Sequence, residues 1–181
     1  MTVNGQTFFR GEIPMQPRIK NPAMLLPDAM QAMVALNAVI EKSGLSATIR
    51  GLVHLRVSQV NGCSVCVDMG WRHMKKAGES DERLFAVSAW RDAPYFTEAE
   101  RAALALSEAA TRVADRPDPV PDAVWDEAAR HFSERELAVL TLSIALTNVW
   151  NRVNLTTRQV AGEWLKSGAA GKWAEEHAMA Q

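Results

Sequence analysis

The 181-residue chain contains two cysteines, and both fall in one C-x-x-C, Cys63 and Cys66. Two intervening residues let such a pair close into a disulfide once one sulfur has been oxidised. The reactive form is the thiolate, and the setting favours it. Asn61-Gly62 reads as a tight turn, so the two cysteines fall in the first turn of the helix that follows. Unpaired backbone N–H groups and the helix dipole stabilise a negative sulfur at such a place. The pair also reads as two buried structural thiols, a common fate of free cysteine, although the Gly-Cys placement favours redox chemistry. A disulfide across so short a loop would remove little chain entropy, so a stapling role is not indicated. Zinc would need two further ligands. His54 and His73 are the nearby candidates, and their spacing matches no standard finger, so no metal is expected.

The elements that must position these sulfurs read as helices. Pro14, Pro17 and Pro22 break residues 1–22 into an extended arm. A first helix is expected from about Pro27 to Gly44, and a second from Ser46 to Asn61-Gly62. A third runs from about Cys63 to Gly78, antiparallel to the second, with glycines at both stops. A fourth is expected over Ser80 to Trp90. Thr97 with Glu100 and Ser133 with Glu136 are capping boxes that open two further helices, the second of them long and apolar. Between them lie a loop from Asp115 to Pro121 and a short helix carrying Trp125. The expected division is an arm at 1–22, a helical domain at 23–155, and a helical tail at 156–181 with a short helix around Trp173. Strand alternation is absent, so the fold class is all-α.

Composition narrows the function classes. Hydrophobic residues make up 48% of the chain, enough for a packed core, and charged residues 23%, so the chain is expected to fold. The net charge is -1 without a basic stripe, which gives no support for binding nucleic acid or an anionic membrane. No apolar run is long enough to span a bilayer, and the N-terminus lacks the pattern of a secretion signal. A cytoplasmic location is the expectation.

The string Ser58 to Met69, S-Q-V-N-G-C-S-V-C-V-D-M, resembles the core of the alkylhydroperoxidase D and carboxymuconolactone decarboxylase superfamily. The segments Lys75 to Glu79, Arg83 to Thr97, Glu100 to Ala109 and Asn148 to Arg152 are similar to it as well. The resemblance implies an alkylhydroperoxidase D-like helical bundle, assembly into trimers or larger homo-oligomers, and either peroxide reduction by the C-x-x-C or a biosynthetic reaction without cysteine chemistry. It implies Cys66 as the attacking thiol and Cys63 as the resolving one, with a dithiol reductant and no cofactor. One part of the pattern is missing. The family's redox signature has a Glu twelve residues before the first Cys and a His four residues after the second, and Gly51 and Gly70 stand there.

Two glycines inside helices cost about 1 kcal/mol each relative to alanine. They fit either close helix packing or a pocket beside the sulfurs, opened by the lost side chains and bordered by Trp71. An antiparallel hairpin puts His54 near the height of Cys66, which makes it the candidate replacement base. His73 sits roughly 10 Å further along the axis, within reach of a bound ligand only. Three functions remain open: a hydroperoxide-reducing thiol oxidoreductase, a non-peroxidatic enzyme on an unknown organic ligand with a pocket at the glycines, and a non-catalytic binding protein.

Overall fold

A computed structural model describes residues 15–166, together with the backbone of Thr2–Val3 and Gln6–Thr7, which pair as a short antiparallel ladder. The short helix expected around Trp173 lies outside the described residues. The remaining described elements are helices: α1 (Pro22–Leu25), α2 (Pro27–Glu41), α3 (Ala47–Asn61), α4 (Ser64–Lys76), α5 (Asp81–Ala86), α6 (Glu98–Thr111), α7 (Asp122–His131), α8 (Glu134–Thr156) and α9 (Glu163–Lys166). A 3-10 turn, Val87–Ala89, extends α5. The fold is all-α, as expected.

Local chemistry sets most boundaries. Both capping boxes form: the Thr97 and Ser133 hydroxyls accept from the Glu100 and Glu136 backbones, and each glutamate side chain accepts from its cap's N–H. Gly44, Gly62 and Gly78 all have positive φ and close the helices before them. The unforeseen element is α1. Pro22 was read as a breaker, but it occupies the first helical position, where a missing N–H costs nothing. The Asn21 side chain caps that helix by accepting from Ala23 N–H at 3.0 Å.

Helix α3 lies at the centre, packed on α4, α6 and α8. It carries apolar residues around most of its circumference, and a helix of that kind belongs inside. Val53 and Val57 face a core with Leu106, Leu140 and Ile144. Leu52 and Leu55 face a second core with Met74, Leu84, Trp90, Phe96 and Leu104. A third, smaller cluster is built from Cys63, Val65 and Cys66, with Met69 and Trp164 against it.

Candidate active site at the cysteine hairpin

The turn between α3 and α4 fixes the sulfurs. Gly62 adopts the left-handed conformation (φ 71°), which lets Cys63 N–H reach back to the Ser58 carbonyl at 3.0 Å. Cys63 is also the N-cap of α4, and its own carbonyl accepts from Val67 N–H at 2.9 Å. One residue is thus pinned by the end of one helix and the start of the next. Cys66 follows in the first turn of α4, where the helix dipole favours negative charge. Both cysteines are free thiols, 1% and 2% exposed.

Cys63 and Cys66 pack in one buried cluster, and the interaction with Cys63 is the main reason that the Cys66 thiol is drawn down to about 7. Burial opposes the shift, while Asn154 and Asn151 add to it. Asn154 Nδ2 donates to Cys66 Sγ at 3.3 Å. Cys63 is pushed upward by the same interaction, by burial and by the neighbouring charge. Of the two thiols, Cys66 is the more acidic.

The amides come from α8. Asn148, Asn151 and Asn154, each no more than 6% exposed, line one face at helical spacing. Asn61 Nδ2 donates to Asn148 Oδ1 (2.9 Å) and Asn151 Oδ1 (2.8 Å), and Asn151 Nδ2 donates to Ser58 Oγ (3.2 Å). This ladder was not singled out from the sequence. Its signal is N-x-x-N-x-x-N inside an otherwise apolar helix: buried amides need partners, and three in register imply a shared polar seam.

Of the two readings of the glycines, the structure supports close packing and not a pocket. A Cβ at Gly51 would lie 1.9 Å from Met74 Sδ, and one at Gly70 would lie 2.8 Å from His54 Cδ2. The space vacated by the two side chains is taken by Met74 and by the His54 ring, so the glycines serve close helix packing. His54 is level with Cys66, as the hairpin geometry implied, but it does not contact the thiol. Its Nε2 lies 3.2 Å from the Cys66 main-chain carbonyl and must donate to it, and its Nδ1 is 3.5 Å from Thr147 Oγ1. Burial pushes the imidazole pKa down, partly offset by the Cys66 carbonyl, so the ring is held neutral. Trp71 packs on the core of Leu52 and Phe96 rather than beside the sulfurs. The tryptophan at the sulfurs is Trp164, whose Nε1 donates to Asp68 Oδ2 at 3.0 Å. His73 is exposed in the last turn of α4.

The opening lies on the other side. A cavity of about 360 Å³ is lined by Met15, Gln16, Cys63, Val65, Asn154 and Arg158, among others, so its wall includes one of the two cysteines and the asparagine that bonds the other. No group of three or more His, Cys, Asp or Glu side chains that could hold a metal occurs among the described residues. No described helix is long and apolar enough to cross a membrane.

A helical bundle whose central hairpin presents a C-x-x-C at its turn defines a class of thiol-bearing α-domains. The sequence model of the carboxymuconolactone decarboxylase family matches residues 27–109. The chain is 33% identical over 131 residues to the uncharacterized protein YdfG of Bacillus subtilis, covering 72% of this chain and 88% of that one. It is 36% identical over 114 residues to the uncharacterized protein YnjA of Escherichia coli, covering 63% and 61%. Among solved structures, ATU0492 of Agrobacterium tumefaciens, described as of unknown function and a candidate antioxidant defence protein AhpD, superposes with a TM-score of 0.76 at 35% identity. The match covers 81% of this chain and 98% of that one. The debrominase Bmp8 shares the fold at TM-score 0.68 and 23% identity, over 75% and 72% of the two chains. The chain belongs to the alkylhydroperoxidase D-like, carboxymuconolactone decarboxylase superfamily.

Proposed function

We propose that this chain is a thiol-dependent oxidoreductase that reduces hydroperoxides through the Cys63/Cys66 dithiol. The observation that carries this reading is the setting of the Cys66 sulfur: it sits in the first turn of α4, clustered with the free thiol of Cys63, and accepts a hydrogen bond from Asn154 Nδ2 at 3.3 Å. In the proposed cycle, the Cys66 thiolate attacks the distal oxygen of the hydroperoxide. The O–O bond breaks, the alkoxide takes a proton, and Cys66 becomes a sulfenic acid. The Cys63 sulfur then displaces that hydroxyl as water, forming the Cys63–Cys66 disulfide.

A dithiol reductant closes the cycle. It enters from the cavity side, where Cys63 forms part of the wall. One of its thiolates attacks Cys63 and expels Cys66, the better leaving group because its thiol is the more acidic. Its second thiol then attacks the mixed disulfide, releases Cys63 as the thiol, and leaves as the oxidised reductant. The residues the family uses for proton relay are absent, and in this reading the interaction with Cys63 and the Asn154 hydrogen bond favour the thiolate without relaying its proton. The alternative of a non-peroxidatic enzyme with a pocket at Gly51 and Gly70 loses its physical basis, since Met74 and His54 fill that space.

The test is thiol counting after addition of hydrogen peroxide or an organic hydroperoxide to the reduced chain. The expected result is loss of both thiols for one peroxide consumed, and a Cys63–Cys66 disulfide by peptide mass spectrometry. Cys63→Ser should stop at a sulfenic acid on Cys66 that a dimedone probe traps, and Cys66→Ser should not react. Both thiols surviving excess peroxide in the folded protein would end the proposal.

A further inference from the structure

We propose that Asn154 is a catalytic hydrogen-bond donor to the Cys66 sulfur, and that Asn21 is a positioning residue that locks the Asn154 amide in its donating orientation. The inference rests on the thiolate reading above and deepens it.

A side-chain amide has a donating and an accepting end, and a half-turn exchanges them. Only the donating end helps a thiolate; the oxygen would set lone pairs against the negative sulfur. What fixes Asn154 is a directional chain of hydrogen bonds. It starts from a group whose sense is beyond doubt, the Ala23 backbone N–H, which can only donate, and which donates to Asn21 Oδ1 at 3.0 Å. Asn21 therefore turns Nδ2 outward, and that nitrogen donates to Asn154 Oδ1 at 3.0 Å. With its oxygen so engaged, Asn154 presents Nδ2 to Cys66 Sγ at 3.3 Å. Each bond polarises the next, and burial of Asn154 strengthens the effect.

The segment carrying Asn21 is itself fastened to the C-terminal end of α8. Arg18 N–H donates to the Thr157 carbonyl (2.8 Å) and Arg18 Nη1 to the Thr156 carbonyl (2.9 Å). Gln159 Nε2 donates to the Ile19 carbonyl (3.0 Å). The guanidinium of Arg18 meets the negative end of the α8 dipole. Docking of residues 18–21 and the state of the sulfur are thereby joined through one side chain. Of the titratable groups, Cys63 at the start of α4 acts on that sulfur, and His54 on α3 bonds the main-chain carbonyl of the same residue. Helix α8 contributes Asn151 and Asn154, and the strap contributes Asn21.

The experiment is titration of the reduced chain by the ultraviolet absorbance of the thiolate, with site-resolved alkylation of Cys66 by iodoacetamide as a second readout. Asn154→Ala should raise the Cys66 midpoint by about one to two pH units, the effect of removing one hydrogen bond to a charged group. Asn21→Ser keeps an N-cap for α1 and adds no charge, but is too short to reach Asn154. It should raise the midpoint by a smaller amount, with the fold unchanged by circular dichroism. Should Asn154→Ala fail to fold, Asn21→Ser alone decides. A midpoint unmoved in either folded variant overturns the proposal. Because the titration needs no peroxide, failure here leaves the peroxidase reading standing. A wild type that resists peroxide would sink that reading without touching this result.

Discussion

A methyl group added at Gly70 would lie 2.8 Å from His54 Cδ2, 3.3 Å from its Nε2 and 3.7 Å from Leu55 Cδ1. Replacing a mid-helix glycine by alanine ordinarily stabilises by about 0.5–1 kcal/mol. Here the imidazole must give way, and it is not free to do so, since Nε2 is bonded to the Cys66 carbonyl at 3.2 Å. Overpacking a tight contact costs about 1–3 kcal/mol, and losing the histidine hydrogen bond costs about 0.5–1.5 kcal/mol more. The balance for Gly70→Ala is a loss of about 0.5–4 kcal/mol. With His54→Ala already in place the obstacle is gone, and the same substitution should stabilise by about 0.5–1 kcal/mol. Urea unfolding of the four proteins in this double-mutant cycle should therefore show a change of sign and a coupling of about 1.5–4.5 kcal/mol. If Gly70→Ala stabilises the wild-type chain, or acts equally in both backgrounds, the close-packing account of this glycine is wrong.

The dithiol should give stability an unusual pH dependence. Cys66 is held at about 7, below the ordinary thiol value of 9.0, so between those values the unfolded chain binds more protons and stability rises with pH. That contribution is lost as pH falls through 7. Cys63 is displaced upward, so above 9 the unfolded chain ionises it while the fold does not, and stability falls again. Denaturant melts of the reduced protein should peak near pH 9, and Cys66→Ser should erase the rising limb; its survival in that variant would show another group at work. Glu108→Gln should cost about 3 kcal/mol. That carboxylate, 9% exposed, accepts from Trp90 Nε1 at 2.9 Å and Arg56 Nε at 2.7 Å and pairs with Arg91 at 2.7 Å. Burial alone would raise its pKa, but these partners bring it down to about 2, so the contribution should fade as pH drops from 4.5 toward 2. A urea midpoint unchanged in Glu108→Gln would contradict this.

The helical frame was largely legible because its punctuation is local. Capping boxes at Thr97 and Ser133 and glycine stops at Gly44, Gly62 and Gly78 are short-range chemistry, and all formed. Helix α1 escaped because Pro22 serves equally as a breaker and as a first helical residue, and Asn21, which decides between them, was not weighed as a cap. At the site, the sulfurs and the level of His54 followed from the turn and the helix pitch. The choice between packing and a pocket at the glycines did not, because an absent Cβ looks the same whether its space is empty or filled from across the hairpin. What fills it, the Met74 sulfur and the His54 ring, depends on rotamers and on the approach of two helices, which spacing does not encode. The Asn154 amide of α8 meets the sulfur from 88 residues away in the chain, a contact no local pattern announces.

The two glycines also limit how this hairpin can be rebuilt. Position 70 and the imidazole of His54 contend for one volume, and position 51 and the thioether of Met74 for another. A glutamate or histidine grafted singly into either slot would jam the junction, and the dead protein that resulted would say nothing about acid–base chemistry. Any route back to the arrangement the family uses runs through paired exchanges, a larger residue at 51 or 70 matched by a smaller one at 74 or 54.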